Sequence, residues 1–221
     1  MKFTIVLAGC GYRDGAEIRE AVLTLLAVEK HGHTFRCCAP DKMQRDVVDH
    51  LSGETAGASR NVRVEAARIA RGEVDDLASV RAVDFDALVF PGGFGAAKNL
   101  CDFAEKGVDC RVDASVERLI RETHAAAKPI GAICIAPVII ARVLGKHRPV
   151  LTIGSDPSTA AALETMGATH REARAMEAVV DGKNRLVSTP AYMCAAAIPE
   201  IAAGIDRLVV EVAALAARTG T

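Results

Sequence analysis

The sequence has no tryptophan and few other aromatic residues, with six phenylalanines and two tyrosines in 221 positions. A core of the size this length allows must then be built from alanine, valine, leucine and isoleucine, as in α/β sheets covered by helices. A surplus of one charge is also missing. Lysine and arginine number 27 against 28 aspartates and glutamates, a net charge of −1, so nothing points to a nucleic-acid partner. No apolar run approaches the length of a membrane span, so no membrane partner is expected. The seven cysteines form no Cys-x-x-Cys pair and no histidine–cysteine zinc spacing, so neither a metal nor another cofactor is expected. The amino terminus enters a strand directly, without the charged, apolar and cleavage regions of a secretory signal, and a cytoplasmic protein with reduced thiols is the expectation. Repeats, low-complexity linkers and shifts of composition are missing too, which predicts one domain over residues 1–221.

What is present alternates strand and helix. Residues 3–8, 34–39, 85–90 and 129–133 read as buried strands, and 150–153 as a further strand. Helices are expected over 16–31, 62–71, 113–127, 135–144, 159–166 and 199–217. In the first helix Ile18, Val22, Leu25, Leu26 and Val28 give an approximate apolar stripe, and in the last Ile201, Ile205, Leu208, Val212 and Leu215 do the same. Residues 41–57 read as a short helix or an excursion with a turn at Ser52-Gly53, 74–80 as connecting structure, and 102–111 as an exposed loop. A hairpin is expected around Asp181-Gly182-Lys183-Asn184. Strand, helix and strand within the first forty residues open a βαβ unit with a parallel sheet. The expected fold is a doubly wound α/β sandwich, its mostly parallel sheet carrying helices on both faces.

Pro129-Ile130-Gly131-Ala132-Ile133-Cys134-Ile135-Ala136-Pro137 is the stretch around which the rest is arranged. A strand followed at once by a helix leaves Cys134 at the join, as in a nucleophile elbow with cysteine in place of serine. The helix start supplies free N–H groups and a positive dipole end, which favour a thiolate. The plainer reading is a buried cysteine packed as a small hydrophobe.

Two other strand ends are unusual. The first strand ends at Gly9-Cys10-Gly11 and soon reaches Asp14-Gly15-Ala16-Glu17, and the 85–90 strand ends at Pro91-Gly92-Gly93-Phe94-Gly95. Ligands in open α/β sheets bind at such ends. Gly92 and Gly93, with no Cβ to block approach, together with the N–H of Ile135, would form an oxyanion hole. Glu17 reads either as a carboxylate favoured by the helix start or as a group sharing a proton with Cys134. Neither glycine region has the spacing of a dinucleotide fingerprint. Among the histidines, His147, which follows the elbow helix, is the one candidate base.

The runs Ala132-Ile133-Cys134-Ile135-Ala136-Pro137, Phe90-Pro91-Gly92-Gly93-Phe94-Gly95-Ala96-Ala97-Lys98-Asn99-Leu100 and Asp14-Gly15-Ala16-Glu17-Ile18 together resemble the class I glutamine-amidotransferase-like (ThiJ/PfpI) superfamily. Within it the chain resembles the isoprenoid biosynthesis glyoxalase family, also called enhancing lycopene biosynthesis proteins, and Thr152-Ile153-Gly154-Ser155-Asp156 and Thr189-Pro190-Ala191-Tyr192-Met193 extend the likeness. The resemblance implies a flavodoxin-like sandwich, a nucleophilic Cys134, a nearby carboxyl from Glu17 and a homodimer. It further implies a cofactor-independent glyoxalase that turns glyoxal or methylglyoxal into a hydroxy acid, with an association to isoprenoid biosynthesis. Glutaminases of the superfamily carry His-x-Glu in a late loop, which here reads Thr189-Pro190-Ala191-Tyr192. Protease-like relatives carry histidine after the nucleophile, where this chain has Ile135. A Cys-His-Glu triad for amide hydrolysis is therefore not expected. The alternative to an enzyme is a redox or stress-response protein that uses Cys134 as an oxidation sensor.

Overall fold

Strand β1 (Lys2–Val6) buries both of its sides: Phe3 and Ile5 face one way, Thr4 and Val6 the other, and none is exposed. A strand apolar on both sides needs helices on both faces of its sheet. The computed structural model, which describes residues 1–218, supplies them. In chain order follow α1 (Ile18–Lys30), β2 (Thr34–Ala39), α2 (Val62–Ile69), β3 (Val74–Asp76), β4 (Ala87–Phe90), α3 (Phe94–Lys98) and α4 (Phe103–Lys106). Then come α5 (Ala114–Ala125), β5 (Ile130–Ile133), α6 (Pro137–Leu144), β6 (Val150–Leu151) and α7 (Pro157–Thr165). The chain closes with β7 (Thr169–His170), β8 (Val179–Asp181), β9 (Leu186–Thr189) and α8 (Ile198–Ala217).

Seven strands form one sheet in the order β3-β2-β1-β4-β5-β9-β8, parallel except for β8, which runs antiparallel to β9 across the expected hairpin. Phe3, Ile5, Leu7, Val89 and Val187 meet α1, α2 and α8 on one face. Val6, Leu88, Phe90, Ile130 and Ala132 meet α3, α5, α6 and α7 on the other. This is the flavodoxin-like, doubly wound α/β fold. The strand order reverses between β1 and β4, and such a switch point opens a crevice at the carboxyl ends of the strands.

Several expectations are corrected. Residues 74–76 form an edge strand rather than a connection, and β6 and β7 make a small parallel pair of their own. The 102–111 segment contains the short helix α4. Of the two readings of the segment after β2, the excursion holds and the short helix does not: residues 40–61 are irregular, held by single bridges, Met43 to Asn61 and Val48 to Thr55. Helix α1 is turned relative to the expected stripe. Its buried residues are Glu20, Ala21, Thr24, Ala27 and Val28, whereas Ile18, Val22 and Leu26 are exposed. Small side chains let α1 lie close to the sheet and α8, and larger ones face outward.

Candidate active site

Cys134 does sit at an elbow between β5 and α6. Its φ of +61° lies in the left-handed region, which costs a non-glycine residue energy and persists only where the surroundings enforce it. They do so from both sides: the Cys134 N–H donates to the Thr189 carbonyl at 2.9 Å, and the Ala136 N–H returns to the Ile133 carbonyl at 3.0 Å. Helix α6 therefore begins at Pro137, two residues later than the apolar run suggests, with proline at a first-turn position where no N–H is needed.

The glycine turn after β4 packs directly against this elbow. A Cβ on Gly92 would lie 2.4 Å from the Cβ of Cys134 and 2.7 Å from Oε2 of Glu20. Gly93 has a φ of +93°, and a Cβ there would strike the backbone of Gly15, Ala16 and Glu17. Gly95 is likewise in backbone contact with Gly15, donating its N–H to the Gly15 carbonyl at 2.9 Å. The long glycine motif thus lets two loops touch at a distance that side chains forbid. Asn99, at the end of that motif, donates to the carbonyls of Ala8 and Asp14 at 2.9 and 2.8 Å and fixes the first loop in place.

The carboxyl that meets the sulfur is Glu20, which the sequence reading missed. Its side chain is wholly buried beside the Cys134 thiol, and accepts the N–H of Gly92 at 2.9 Å and of Tyr192 at 3.3 Å. The late loop Thr189-Pro190-Ala191-Tyr192 therefore contributes backbone where glutaminases have histidine. Glu17 stands one turn earlier, as the N-cap of α1, where its carboxylate accepts the Glu20 N–H at 2.7 Å. It also lines the cleft that holds Cys134, so both carboxyls reach the site, Glu20 behind the sulfur and Glu17 in the open space. The signal that would have found Glu20 is its phase: it repeats at four-residue spacing with Thr24 and Val28 and lies beside Ala21, on the face that is actually buried.

The expected oxyanion donors are divided. The backbone N–H groups of Gly93 and Ile135 lie close enough to the Cys134 sulfur to favour its charged form. The N–H of Gly92 does not serve there, because Glu20 takes it. The expectation of a depressed thiol is also corrected. Burial pushes the Cys134 thiol well above its ordinary value, the Glu20 carboxylate pushes the same way, and the two N–H groups oppose them without prevailing. Glu20 is itself raised to about 8, by burial first and by the charge of Glu17 second. Burial raises Glu17 as well, against the hydrogen bond from Glu20 N–H. Burial thus disfavours the charged form of both Cys134 and Glu20.

The cleft has a volume of about 490 Å³ and is walled by Tyr12, Phe94, Phe103 and Tyr192 around Cys134 and Glu17. No histidine among the described residues lines it. His147 packs its ring 4.6 Å from that of His124, and its carbonyl accepts from Asn184, so it belongs to the far side of α6 and is no base for Cys134. Cys10 is half-buried, its thiol raised by burial, and lies outside the cleft lining.

Comparison with known proteins agrees with this architecture. The profile of the DJ-1/PfpI family matches residues 12–196. The chain is 45% identical over 218 residues to the Homo sapiens glutamine amidotransferase-like class 1 domain-containing protein 3, mitochondrial, covering 94% of this chain and 81% of that one. It is 44% identical to the Rattus norvegicus ES1 protein homolog, mitochondrial, covering 96% and 82%. A crystal structure of an Ehrlichia chaffeensis isoprenoid biosynthesis protein with an amidotransferase-like domain superposes with a TM-score of 0.90 at 38% identity, covering 97% of this chain and 99% of that one. On the family match and these identities, the chain belongs to the DJ-1/PfpI family.

Proposed function

We propose that the protein is a glyoxalase that needs neither glutathione nor a metal and converts a 2-oxoaldehyde, such as methylglyoxal, into a 2-hydroxy acid. The observation that carries the reading is the set of groups held on one sulfur: a strained elbow cysteine, two backbone N–H groups and a buried carboxyl, with a second carboxyl in the adjoining cleft. In the fraction of molecules whose Glu20 is ionised, the Cys134 sulfur attacks the aldehyde carbon as its proton passes to that carboxylate. A carboxyl raised to about 8 is matched to proton transfer near neutral pH. The carbonyl oxygen takes up a proton and leaves a hemithioacetal. The N–H groups of Gly93 and Ile135 stabilise the charge on that oxygen as it develops. Glu17 then removes the proton from the former aldehyde carbon and returns one to the neighbouring carbon through an enediolate. One carbon is oxidised and the other reduced within the same molecule, so no external oxidant enters. Water cleaves the resulting thioester, releases the hydroxy acid and restores the thiol.

The oxidation-sensor alternative uses the same thiol, and it is the second carboxyl, Glu17, in the cleft beside Cys134 that favours the enzyme reading, because oxidation of a thiol has no use for a second proton carrier. An association with isoprenoid biosynthesis belongs to the same proposal and is supported by the description of the Ehrlichia chaffeensis relative. A homodimer and a cytoplasmic location are parts of it too. The mitochondrial location in the relatives' names is theirs. The test is turnover of methylglyoxal by metal-free protein, followed as hydroxy acid formed, with Cys134→Ser as control. The expected result is steady release by the wild type and none above background by the variant. A wild type that traps methylglyoxal on Cys134 without releasing hydroxy acid overturns the enzyme reading.

A further inference from the structure

The cleft is lined with a residue type the chain scarcely uses. Of six phenylalanines and two tyrosines in the sequence, four line the cavity of Cys134: Tyr12, Phe94, Phe103 and Tyr192. Ala97, Ala104, Ile135 and Met193 complete most of the wall. Tyr12 and Phe94 remain 42% and 53% exposed, a large apolar area to leave in water at the mouth of a cleft. Three of the rings carry a cation over the ring: Arg13 lies 5.0 Å from the centroid of Tyr12, and Lys98 and Arg19 lie 5.9 Å from those of Phe94 and Tyr192. Lys98 is itself anchored, to Asp46 at 2.8 Å and to the Arg13 carbonyl at 3.1 Å. These contacts hold rings in place before any ligand arrives.

A cavity of about 490 Å³ is within the range of roughly 300–1,000 Å³ that takes drug-sized ligands. A three-carbon dicarbonyl leaves most of it unfilled and touches few of the rings. A second hollow shares Tyr12, Glu17, Phe94 and Tyr192 with the cleft and adds Ile18, Arg19 and His50. Glu17 lines both spaces, and on the inner wall the Asp156 carboxylate is engaged as the cap of α7, where it accepts the backbone N–H of Thr159 at 2.8 Å. Within the inner cleft polar recognition is therefore concentrated near Cys134, and the remainder of that wall rewards apolar contact, while Arg19 and His50 lie in the second hollow.

We infer that the substrate of this cleft is a 2-oxoaldehyde bearing an extended apolar tail, the tail lying against Tyr12, Phe94, Phe103 and Tyr192 while the aldehyde reaches Cys134. The inference rests on the proposed glyoxalase chemistry for the reacting end and on the cleft alone for the tail. The test is a series of straight-chain 2-oxoaldehydes from three to eight carbons. The value of kcat/KM rises about two- to fourfold per added methylene, as each is withdrawn from water, and the gain falls mainly on KM. A flat or falling series overturns the inference. Phe103→Ala lowers kcat/KM for the eight-carbon substrate by about tenfold and by a smaller factor for methylglyoxal; equal factors for both also overturn it. Binding of the unreactive products separates this inference from the reaction itself. By calorimetry on the wild type, 2-hydroxyoctanoate binds about thirtyfold tighter than lactate, or better, and Phe103→Ala reduces that ratio. If no oxoaldehyde of any length turns over but this ratio holds, the glyoxalase reading fails and the apolar-tail cleft stands. If both acids bind equally, or neither binds, the cleft inference fails whatever the turnover.

Discussion

Helices α1 and α8 pack against each other on the same face of the sheet, yet they are written in opposite ways. In α8 the buried residues are Ile201, Gly204, Ile205, Leu208, Val209, Val212 and Leu215, an apolar stripe at helical spacing. In α1 the buried face holds a glutamate and a threonine among small residues, and Ile18, Val22 and Leu26 are turned to solvent. The difference is one of task. Helix α8 covers the sheet, and burial of hydrocarbon is sufficient for that. Helix α1 carries Glu20 to the sulfur of Cys134, so its inner face must admit a carboxyl and satisfy it. The N–H groups of Gly92 and Tyr192 do so, and Thr24 is satisfied within the helix through the Glu20 carbonyl at 2.7 Å.

The sharpest break in that comparison is Glu20→Gln. An amide cannot accept the thiol proton, and turnover of a 2-oxoaldehyde should fall by about two to four orders of magnitude. Stability should respond in the other direction as pH rises. Glu20 holds its proton in the folded state up to about 8, against an ordinary value of 4.5. Between those limits the folded protein binds a proton that the unfolded chain has lost, so the wild type loses stability as pH rises and levels off above the folded value. The glutamine variant lacks this slope. Urea midpoints measured from pH 5 to pH 8 should therefore shift progressively in favour of the variant. A constant difference across that range would show that Glu20 is not held neutral.

Leu208→Ala asks the matching question of α8. Leu208 is fully buried and stands against Gly131 of β5, where even a Cβ would come within 2.9 Å of its Cδ2. Its truncation should cost about 2–5 kcal/mol by denaturant titration. Below the melting transition, kcat per folded molecule should stay near that of the wild type, since the side chain does not line the cleft. Loss of kcat in step with stability would mean that α8 does more than cover the sheet.

The same contrast explains what was legible in the residues. Helix α8, the four central strands and the cysteine elbow follow from apolar runs and their breaks, because burial dictates those residues. The glycine turn was legible as a turn, whereas the reason for each glycine, a neighbouring loop or the Cys134 Cβ, lies far away in sequence. Strand β3 was hidden because two of its three residues, Asp75 and Asp76, are charged, as edge strands tolerate. Glu20 was hidden because a buried carboxyl on a helix face breaks the pattern that reveals the face, and Glu17, at the cap, drew the assignment in its place. The thiol was misjudged for a related reason. A helix start can be read from local sequence, but the desolvation that outweighs it comes from the packing of β4, α1 and the 189–192 loop around one atom.

The smallest effect on the monomer tests the outer face of α1. Ile18, Val22 and Leu26, 45%, 47% and 57% exposed, repeat every fourth residue and form one ridge along the helix. Ile18 also borders the second hollow beside the cleft, whereas Val22 and Leu26 line neither that hollow nor the cleft, and we propose these two as the contact of the homodimer, since exposed apolar side chains that serve neither the core nor the cleft are best buried against their own copy. Leu26→Glu should leave the folding free energy of the isolated subunit within about 0.5 kcal/mol, because the side chain is already in water there. Its effect should appear in the assembly. Light scattering at micromolar concentration should give a dimer mass for the wild type and a monomer mass for the variant. A wild type that is monomeric under those conditions removes the dimer, and the ridge then marks only how far the demands of Glu20 turned the helix. A variant that remains dimeric moves the interface to another face and leaves the contrast between α1 and α8 standing on the buried side alone.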